Sequence, residues 1–171
     1  MSYHSRLFAI SLVVATTFTA PVFASDAKPF TTAKEIILLE LLPPPPANVS
    51  AKMKAELGEI LTIQVTRTPE MEARAKADAE ENVWRYADVI NNPKFTKENL
   101  PKFSAFFDRV VETEGAVVDP AKDVWKRPRP HLHSDLVKPV VPLSKSGSYP
   151  SGHTTVGTLM GIVLKRVAVN R

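Results

Sequence analysis

The stretch that organises this chain is K-D-V-W-K-R-P-R-P at residues 122–130, together with G-S-Y-P-S-G-H-T-T at residues 147–155. In the first part, Lys122 and Arg129 stand seven positions apart. That is about two helical turns, so both side chains can point to one side if the segment is helical. Lysine offers a compact charge and arginine offers planar, paired donors, and the two together suit a phosphate-like anion.

The second part has the pattern of a turn that runs into a helix. Gly152 lets the backbone approach a ligand closely, and the first N–H groups of the following helix have no partner within it. Ser151 adds a hydroxyl, and His153 adds an imidazole that can pass a proton to a departing oxygen. The two parts together predict a site for a tetrahedral oxyanion, phosphate above all. Ser151 is not a candidate nucleophile, because no acid or base partner is arranged for it.

Each of these residues also has a plainer structural interpretation. Lys122 and Arg129 can be solvated surface charges, Ser151 a helix cap, and Gly152 a turn glycine. A lone histidine such as His153 is more often structural than catalytic. The spacing of the cations, the flanking prolines and the downstream P-S-G-H favour phosphate binding. The pair His131 and His133 is a weak metal candidate, because no third ligand accompanies it, and we expect no metal.

These motifs carry a resemblance to a known superfamily. K-x6-R-P at residues 122–130, followed by P-S-G-H at 150–153, resembles the first two of three signature motifs of the type-2 phosphatidic acid phosphatases. L-S-K-S-G-S-Y-P-S-G-H-T-T at 143–155 is most similar to the secreted bacterial class A non-specific acid phosphatases within that superfamily, as is L-L-P-P-P-P at 41–46. The resemblance covers roughly residues 39–164.

The resemblance implies hydrolysis of phosphate monoesters through a phosphohistidine, without a metal or other cofactor. It implies that Lys122, Arg129, Ser151 and Gly152 hold the phosphoryl group and that His153 is the general acid for the leaving alkoxide. It also implies an all-α, single-domain helical bundle of the acid phosphatase and vanadium haloperoxidase type.

The third motif of the superfamily, S-R-x5-H-x3-D, is not found in the 171 residues, and Ser5-Arg6 has no histidine at the required spacing. Its histidine is the family's nucleophile. We therefore expect a chain truncated before its nucleophile, an incomplete bundle, and little turnover by these residues alone. A non-catalytic remnant that binds phosphate or a partner protein stays open. A vanadium haloperoxidase-like oxidase is a further alternative, although it needs the same missing histidine and is generally a longer chain.

Composition sets wider bounds. A chain of 171 residues with 44% hydrophobic and 23% charged residues is typical of one globular domain. The net charge of +4 is too small and too scattered to indicate nucleic-acid binding. The absence of cysteine excludes disulfides and thiolate metal sites. A homo-oligomer remains possible on these data.

Residues 1–24 are predicted to be a secretory signal peptide that ends in V-F-A. Its apolar core is too short to span a bilayer, and we expect no stable membrane insertion after cleavage, so a periplasmic or secreted protein is predicted. Residues 25–49 are predicted to be an extended, Pro-rich segment that lies over the helical core, with a partner-binding role as the alternative. Residues 50–171 are predicted to be the helical phosphatase domain.

Capping patterns predict the helices. Ser50 caps a helix to about residue 66, and Thr68-Pro69 starts another that runs to about Ile90. Pro101 opens a long helix, which we expect Gly115 to interrupt and Asp119-Pro120 to restart. The last helix is predicted from Ser151 to Val167. The predicted core stripe of the long helix is Phe103, Phe106, Phe107, Val110 and Val111.

Overall fold

A computed structural model describes residues 27–169, and it confirms the all-α prediction: no strand occurs within that range. Within that range three helices have 16 to 25 residues, one has 10, and three are single turns of four residues. The helices are α1 (Leu38–Leu41), α2 (Ala51–Thr66), α3 (Pro69–Asp78), α4 (Ala87–Ile90), α5 (Pro101–Trp125), α6 (Pro130–His133) and α7 (Gly152–Val169), with a 3-10 turn at Val83–Tyr86 before α4.

The predicted starts of α2 and α3 are confirmed by their caps. The Ser50 hydroxyl accepts a hydrogen bond from the Met53 N–H at 3.2 Å. The Thr68 hydroxyl accepts from the Met71 N–H at 3.3 Å, and Pro69 takes the first helical position, where its missing N–H is not needed. Local side-chain chemistry therefore fixes both ends, as the sequence indicates.

The prediction of one helix from Pro69 to about Ile90 is wrong, because α3 ends at Asp78 and a loop follows at 79–82. The Asn82 side chain accepts from the Trp84 N–H at 3.1 Å and so starts the 3-10 turn. Arg74 stabilises the break, because its guanidinium pairs with both Asp78 and Asp88 at 2.6 Å. The interruption leaves the polar groups of 79–82 free to face α7.

The prediction that Gly115 interrupts the long helix is also wrong, because α5 continues unbroken through Gly115 and Pro120. A proline inside a helix removes one N–H and so releases the carbonyl four residues earlier. Here that carbonyl belongs to Ala116, and it accepts a hydrogen bond from the Ala33 N–H at 3.1 Å. The N-terminal segment thus replaces the bond that Pro120 cannot make.

The core lies where α5, α7 and the 3-10 turn meet. Phe107 and Val110 confirm part of the predicted stripe, with 2% and 5% of their surface exposed. Phe106 does not belong to it, because 39% of its surface is exposed and its ring lies 5.2 Å from that of Phe30. The buried cluster consists of Val83, Phe107, Val110, Val156 and Met160.

The segment before α1 lies along α5. The Phe30 N–H donates to the Thr113 hydroxyl at 2.8 Å, and Arg109 Nε donates to the Lys28 carbonyl at 2.8 Å. The Arg109 guanidinium also lies over the Phe30 ring, 3.8 Å from its centre. The predicted signal peptide, residues 1–24, lies outside the described residues. Within 27–169, none of the helices has the length and apolar character that crossing a membrane requires.

Candidate functional site

Two loops join the sequence motifs. The Ser148 N–H donates to the Arg127 carbonyl at 2.9 Å, and its hydroxyl donates to the Pro128 carbonyl at 2.9 Å. Arg129 Nε donates to the Ser146 carbonyl at 2.9 Å, and its Nη2 donates to the Ser146 hydroxyl at 3.1 Å. Residues 146–148 are therefore attached to 127–129, which brings the K-x6-R-P and P-S-G-H stretches side by side.

Lys122 lies near the end of α5 and is buried, with 8% of its surface exposed. Its ammonium is 2.8 Å from Asp119 Oδ1 and 4.0 Å from Glu114 Oε1. A Cβ atom added to Gly152 would lie 3.2 Å from the same ammonium. The structure thus brings one predicted cation to the first residue of α7, where the helix has unpaired N–H groups.

Gly152 is required by a close approach. A Cβ atom at this position would stand 2.5 Å from Glu114 Oε1, which no real side chain tolerates without a shift. The neighbour is a protein carboxyl group, which the sequence patterns alone did not reveal. Ser151, which is exposed, accepts a hydrogen bond from the Thr154 N–H at 3.2 Å and so caps α7.

Lys122 and Arg129 line one open, basic cavity of about 720 Å³. Among the residues that line the cavity, Arg127 already forms an ion pair with Glu56 of α2. The acidic residue at the wall is Asp123. The cations around the cavity are Lys122, Lys126, Arg127, Arg129 and Lys145.

His153 faces the other side of the α7 N-terminus and lines a separate cavity of about 260 Å³. Its Nδ1 lies 2.8 Å from Glu81 Oε1, and its Nε2 lies 3.2 Å from the Ala79 carbonyl oxygen. Both partners are acceptors, and the roles of the two ring nitrogens depend on the tautomer. The break at 79–82 thus supplies two partners for the predicted general acid, while Arg129 and His153 line different cavities.

Glu114 is buried close to Lys122 and Gly152, and it was missed by the sequence predictions. It is 6% exposed, and burial raises the pKa of its carboxyl above the ordinary value, with Lys122 opposing the shift. The sequence held a signal for it. Glu114 falls four residues after Val110 and four before Val118, on the buried stripe of α5, where a charged residue needs a special reason.

The structure also places Tyr149 and the two weak metal candidates, His131 and His133. The Tyr149 ring packs 5.0 Å from that of Trp125, and its hydroxyl donates to the Pro43 carbonyl at 2.9 Å. His133 Nε2 is buried without a hydrogen-bond partner, and His131 lies at the wall of the basic cavity. In the described part of the chain, no three histidine or carboxylate side chains cluster as a metal site would require.

Comparison with known proteins gives relatives of one kind. The chain is 28% identical over 146 residues to a non-specific acid phosphatase of Providencia stuartii, covering 75% of this chain and 55% of that protein. It is 27% identical over 157 residues to a non-specific acid phosphatase of Salmonella typhimurium, covering 86% and 63%. A shorter match, 38% identical over 69 residues, joins it to an acid phosphatase of Zymomonas mobilis and covers 38% and 26%.

No family model matches the chain. The chain spans between about a quarter and about two thirds of the length of these relatives. These similarities support a relationship to the acid phosphatases, and the described residues of the chain are all-α.

Proposed function

We propose that this chain forms the phosphate-binding and proton-donating part of a periplasmic or secreted class A acid phosphatase, which hydrolyses phosphate monoesters through a phosphohistidine. The observation that supports this most is the contact of Lys122 with Gly152 at the N-terminus of α7. A buried ammonium beside unpaired helical N–H groups is suited to an anion. The relatives named acid phosphatase supply the reaction class.

In the proposed mechanism, charge on the transferring phosphoryl group is neutralised by fixed donors. Lys122 and Arg129 supply the cations, and the Gly152 N–H and the Ser151 hydroxyl supply hydrogen bonds. Arg129 exchanges the Ser146 oxygens that it now holds for phosphate oxygens. Because these are hydrogen bonds to neutral groups, a charged acceptor replaces them with stronger ones.

The leaving alkoxide takes its proton from His153 in this proposal. Glu81 holds the imidazole in one orientation through its contact with Nδ1, and a general acid needs such a fixed orientation. Attack and departure occur on opposite sides of phosphorus, so the nucleophile approaches from the side away from His153. The family resemblance assigns that role to a histidine of the third motif, which these 171 residues do not contain.

A second candidate function is phosphate binding without turnover, with a partner protein as another possible ligand. The buried Lys122 ammonium beside Gly152 favours it, because this arrangement supports anion binding whether or not a chemical step follows. The two functions share one binding site and differ only in the chemical step. Turnover and binding therefore have to be measured on the same preparation.

The test uses the purified 171-residue protein, with vanadate and phosphate binding by calorimetry and p-nitrophenyl phosphate hydrolysis by absorbance. We expect binding that Lys122→Ala weakens by tenfold or more, since a charged hydrogen bond is worth about 1.5–3 kcal/mol. Lys54→Ala, an exposed lysine on α2, is the matched control and should change nothing.

Two outcomes would contradict the proposal. If the folded protein binds neither anion, the phosphate site is wrong. If it hydrolyses p-nitrophenyl phosphate rapidly and His153→Ala abolishes this, the assignment of the nucleophile to the third motif is wrong.

A further inference from the structure

One carboxyl group at the site has no role in the mechanism above. Glu114 Oε1 is fully buried and has no hydrogen-bond partner among the described residues. A buried carboxylate oxygen without a partner loses its hydration and gains nothing in return. Such a group in a native fold calls for an explanation, and its position at the α7 N-terminus offers one.

The charged and titratable groups that face Glu114 come from every element packed around it. From α5 itself come Lys122, 4.0 Å away, and Asp119, which already bonds the Lys122 ammonium. From the 79–82 loop comes Glu81, and from α7 comes His153. Two acids and two bases therefore surround the carboxyl, and its nearest neighbour on α7 is the backbone of Gly152.

The contact with Gly152 puts Glu114 in the place that an oxyanion at the α7 N-terminus would approach. As a carboxylate, Glu114 repels such an anion and competes with it for the Lys122 ammonium. As a neutral acid, Glu114 no longer repels the anion, and its O–H becomes a donor that the anion can accept. The same side chain therefore opposes or supports anion binding according to one proton.

We propose that Glu114 is a further oxyanion-binding residue, which acts in its neutral form and donates its O–H to an anion held by Lys122 and the α7 N-terminus. Anion binding is then coupled to the uptake of one proton from solvent by the Glu114 carboxylate. This inference rests on the proposed phosphate site and adds to it a preference for acid conditions that does not depend on His153.

The burial of Glu114 acts in the same direction. Loss of hydration favours the neutral carboxyl and raises its pKa, while the 4.0 Å gap to Lys122 is too long for the hydrogen bond that would hold the carboxylate form. Burial and the distance to Lys122 therefore both favour protonation of Glu114 when the anion binds.

The experiment measures sulfate binding to the full chain by calorimetry from about pH 5 to about pH 8. Sulfate stays a dianion throughout, so any proton taken up belongs to the protein. Wild-type affinity should fall by up to about tenfold per pH unit above the pKa of Glu114, as expected for one linked proton. Glu114→Gln should bind more tightly than wild type near pH 8, with a flat profile. Glu112→Gln, two residues earlier on α5, should retain the wild-type slope.

Three outcomes distinguish a failure of this inference from a failure of the proposed phosphate site. If wild type binds sulfate and Glu114→Gln keeps the full slope, the role of Glu114 is wrong and the phosphate site stands. If His153→Gln, rather than Glu114→Gln, flattens the profile, His153 takes up the linked proton and the inference is again wrong. If wild type binds no sulfate at any pH, the proposed phosphate site fails and the inference fails with it.

A measurement that does not require Glu114→Gln covers the case in which this variant does not fold. Sulfate binding to the wild-type chain is repeated near pH 7 in two buffers that differ in ionisation enthalpy. The difference in apparent binding enthalpy gives the protons taken up per anion. We expect an uptake above zero that persists in His153→Gln, and an uptake of zero there would overturn the inference.

Discussion

The two cavities beside the N-terminus of α7 differ in charge and in how their side chains are held. The basic cavity contains Lys122 and Arg129, and Arg129 is held by oxygens of the 146–147 loop, which are neutral. The smaller cavity contains His153, which is held by the Glu81 carboxylate and a backbone carbonyl. The comparison shows that Arg129 is held by neutral acceptors, which a charged anion can replace, whereas the imidazole of His153 is oriented by a carboxylate partner.

Glu114 interacts electrostatically with residues of both cavities, with Lys122 of the basic cavity and with His153 and Glu81 of the smaller one. Changes at Gly152, Arg129, Glu114 and Glu81 therefore test the comparison at four different points, and we expect their effects to decrease in that order.

Gly152→Ala should have the largest effect. The new methyl group meets Glu114 Oε1 at 2.5 Å, so either α7 or the carboxyl must shift. Overpacking of this kind costs about 1–3 kcal/mol, and we expect sulfate affinity to fall by about tenfold or more. Denaturant unfolding and calorimetry measure the two effects.

Gly58→Ala is the matched control for Gly152→Ala, because nothing lies within 4 Å of its added methyl group. It should stabilise α2 by about 0.5–1 kcal/mol and leave anion binding unchanged. Equal effects of the two substitutions would contradict the close approach at the α7 N-terminus.

Arg129→Lys should weaken sulfate binding by about tenfold, the equivalent of one lost charge-assisted hydrogen bond. Arg129 donates to the Ser146 carbonyl and hydroxyl from two different nitrogens, and a lysine ammonium lacks this planar pair of donors. Arg166→Lys, an exposed position on α7, is the control. Retention of wild-type affinity by Arg129→Lys would place the anion away from this side chain.

Glu114 should make stability depend on pH. Its folded-state pKa lies above the usual value near 4.5, so the folded state binds its proton more tightly than the unfolded chain. Its contribution is therefore complete below the unfolded pKa and is lost as pH rises through the raised folded pKa. Denaturant unfolding of Glu114→Gln should lack this decline, and an identical decline in the variant would disprove the assignment.

Glu81→Ala should have the smallest effect on stability. The pair with His153 is partly exposed, with 61% of the His153 side chain accessible, so its loss should cost less than about 1 kcal/mol. The imidazole ring should gain mobility, which side-chain NMR relaxation measures. Glu80→Ala, its neighbour in the loop, should leave the ring unchanged.

Local chemistry predicted a good part of the fold. The caps at Ser50 and Thr68 and the proline at the start of α5 lie close in sequence to the groups they act on, and the structure confirms them. The break at 79–82 could not be predicted in this way, because Arg74 stabilises it by joining Asp78 to Asp88. Such a contact exists only after the chain has folded.

The residues of the site also divide into those that sequence motifs predict and those that only the folded structure reveals. The resemblance of the two motifs led to Lys122, Arg129, Ser151, Gly152 and His153, and their roles remain predictions. The structure shows Lys122 beside Gly152 and His153 turned toward Glu81. Neither Glu81 nor Glu114 belongs to a motif. Glu114 could have been found as a charged residue on an apolar stripe, whereas nothing in the sequence around Glu81 indicated that His153 is its partner.

The contacts between the N-terminal segment and α5 around Pro120 have a consequence for folding during synthesis. The Ala116 carbonyl that Pro120 releases is taken up by Ala33, and Thr113 binds Phe30, which precedes it by 83 positions. A ribosome therefore completes the early segment long before its docking surface exists. Until the middle of α5 emerges, the Phe30 ring stays in water, and a chaperone that binds nascent chains has its best opportunity there.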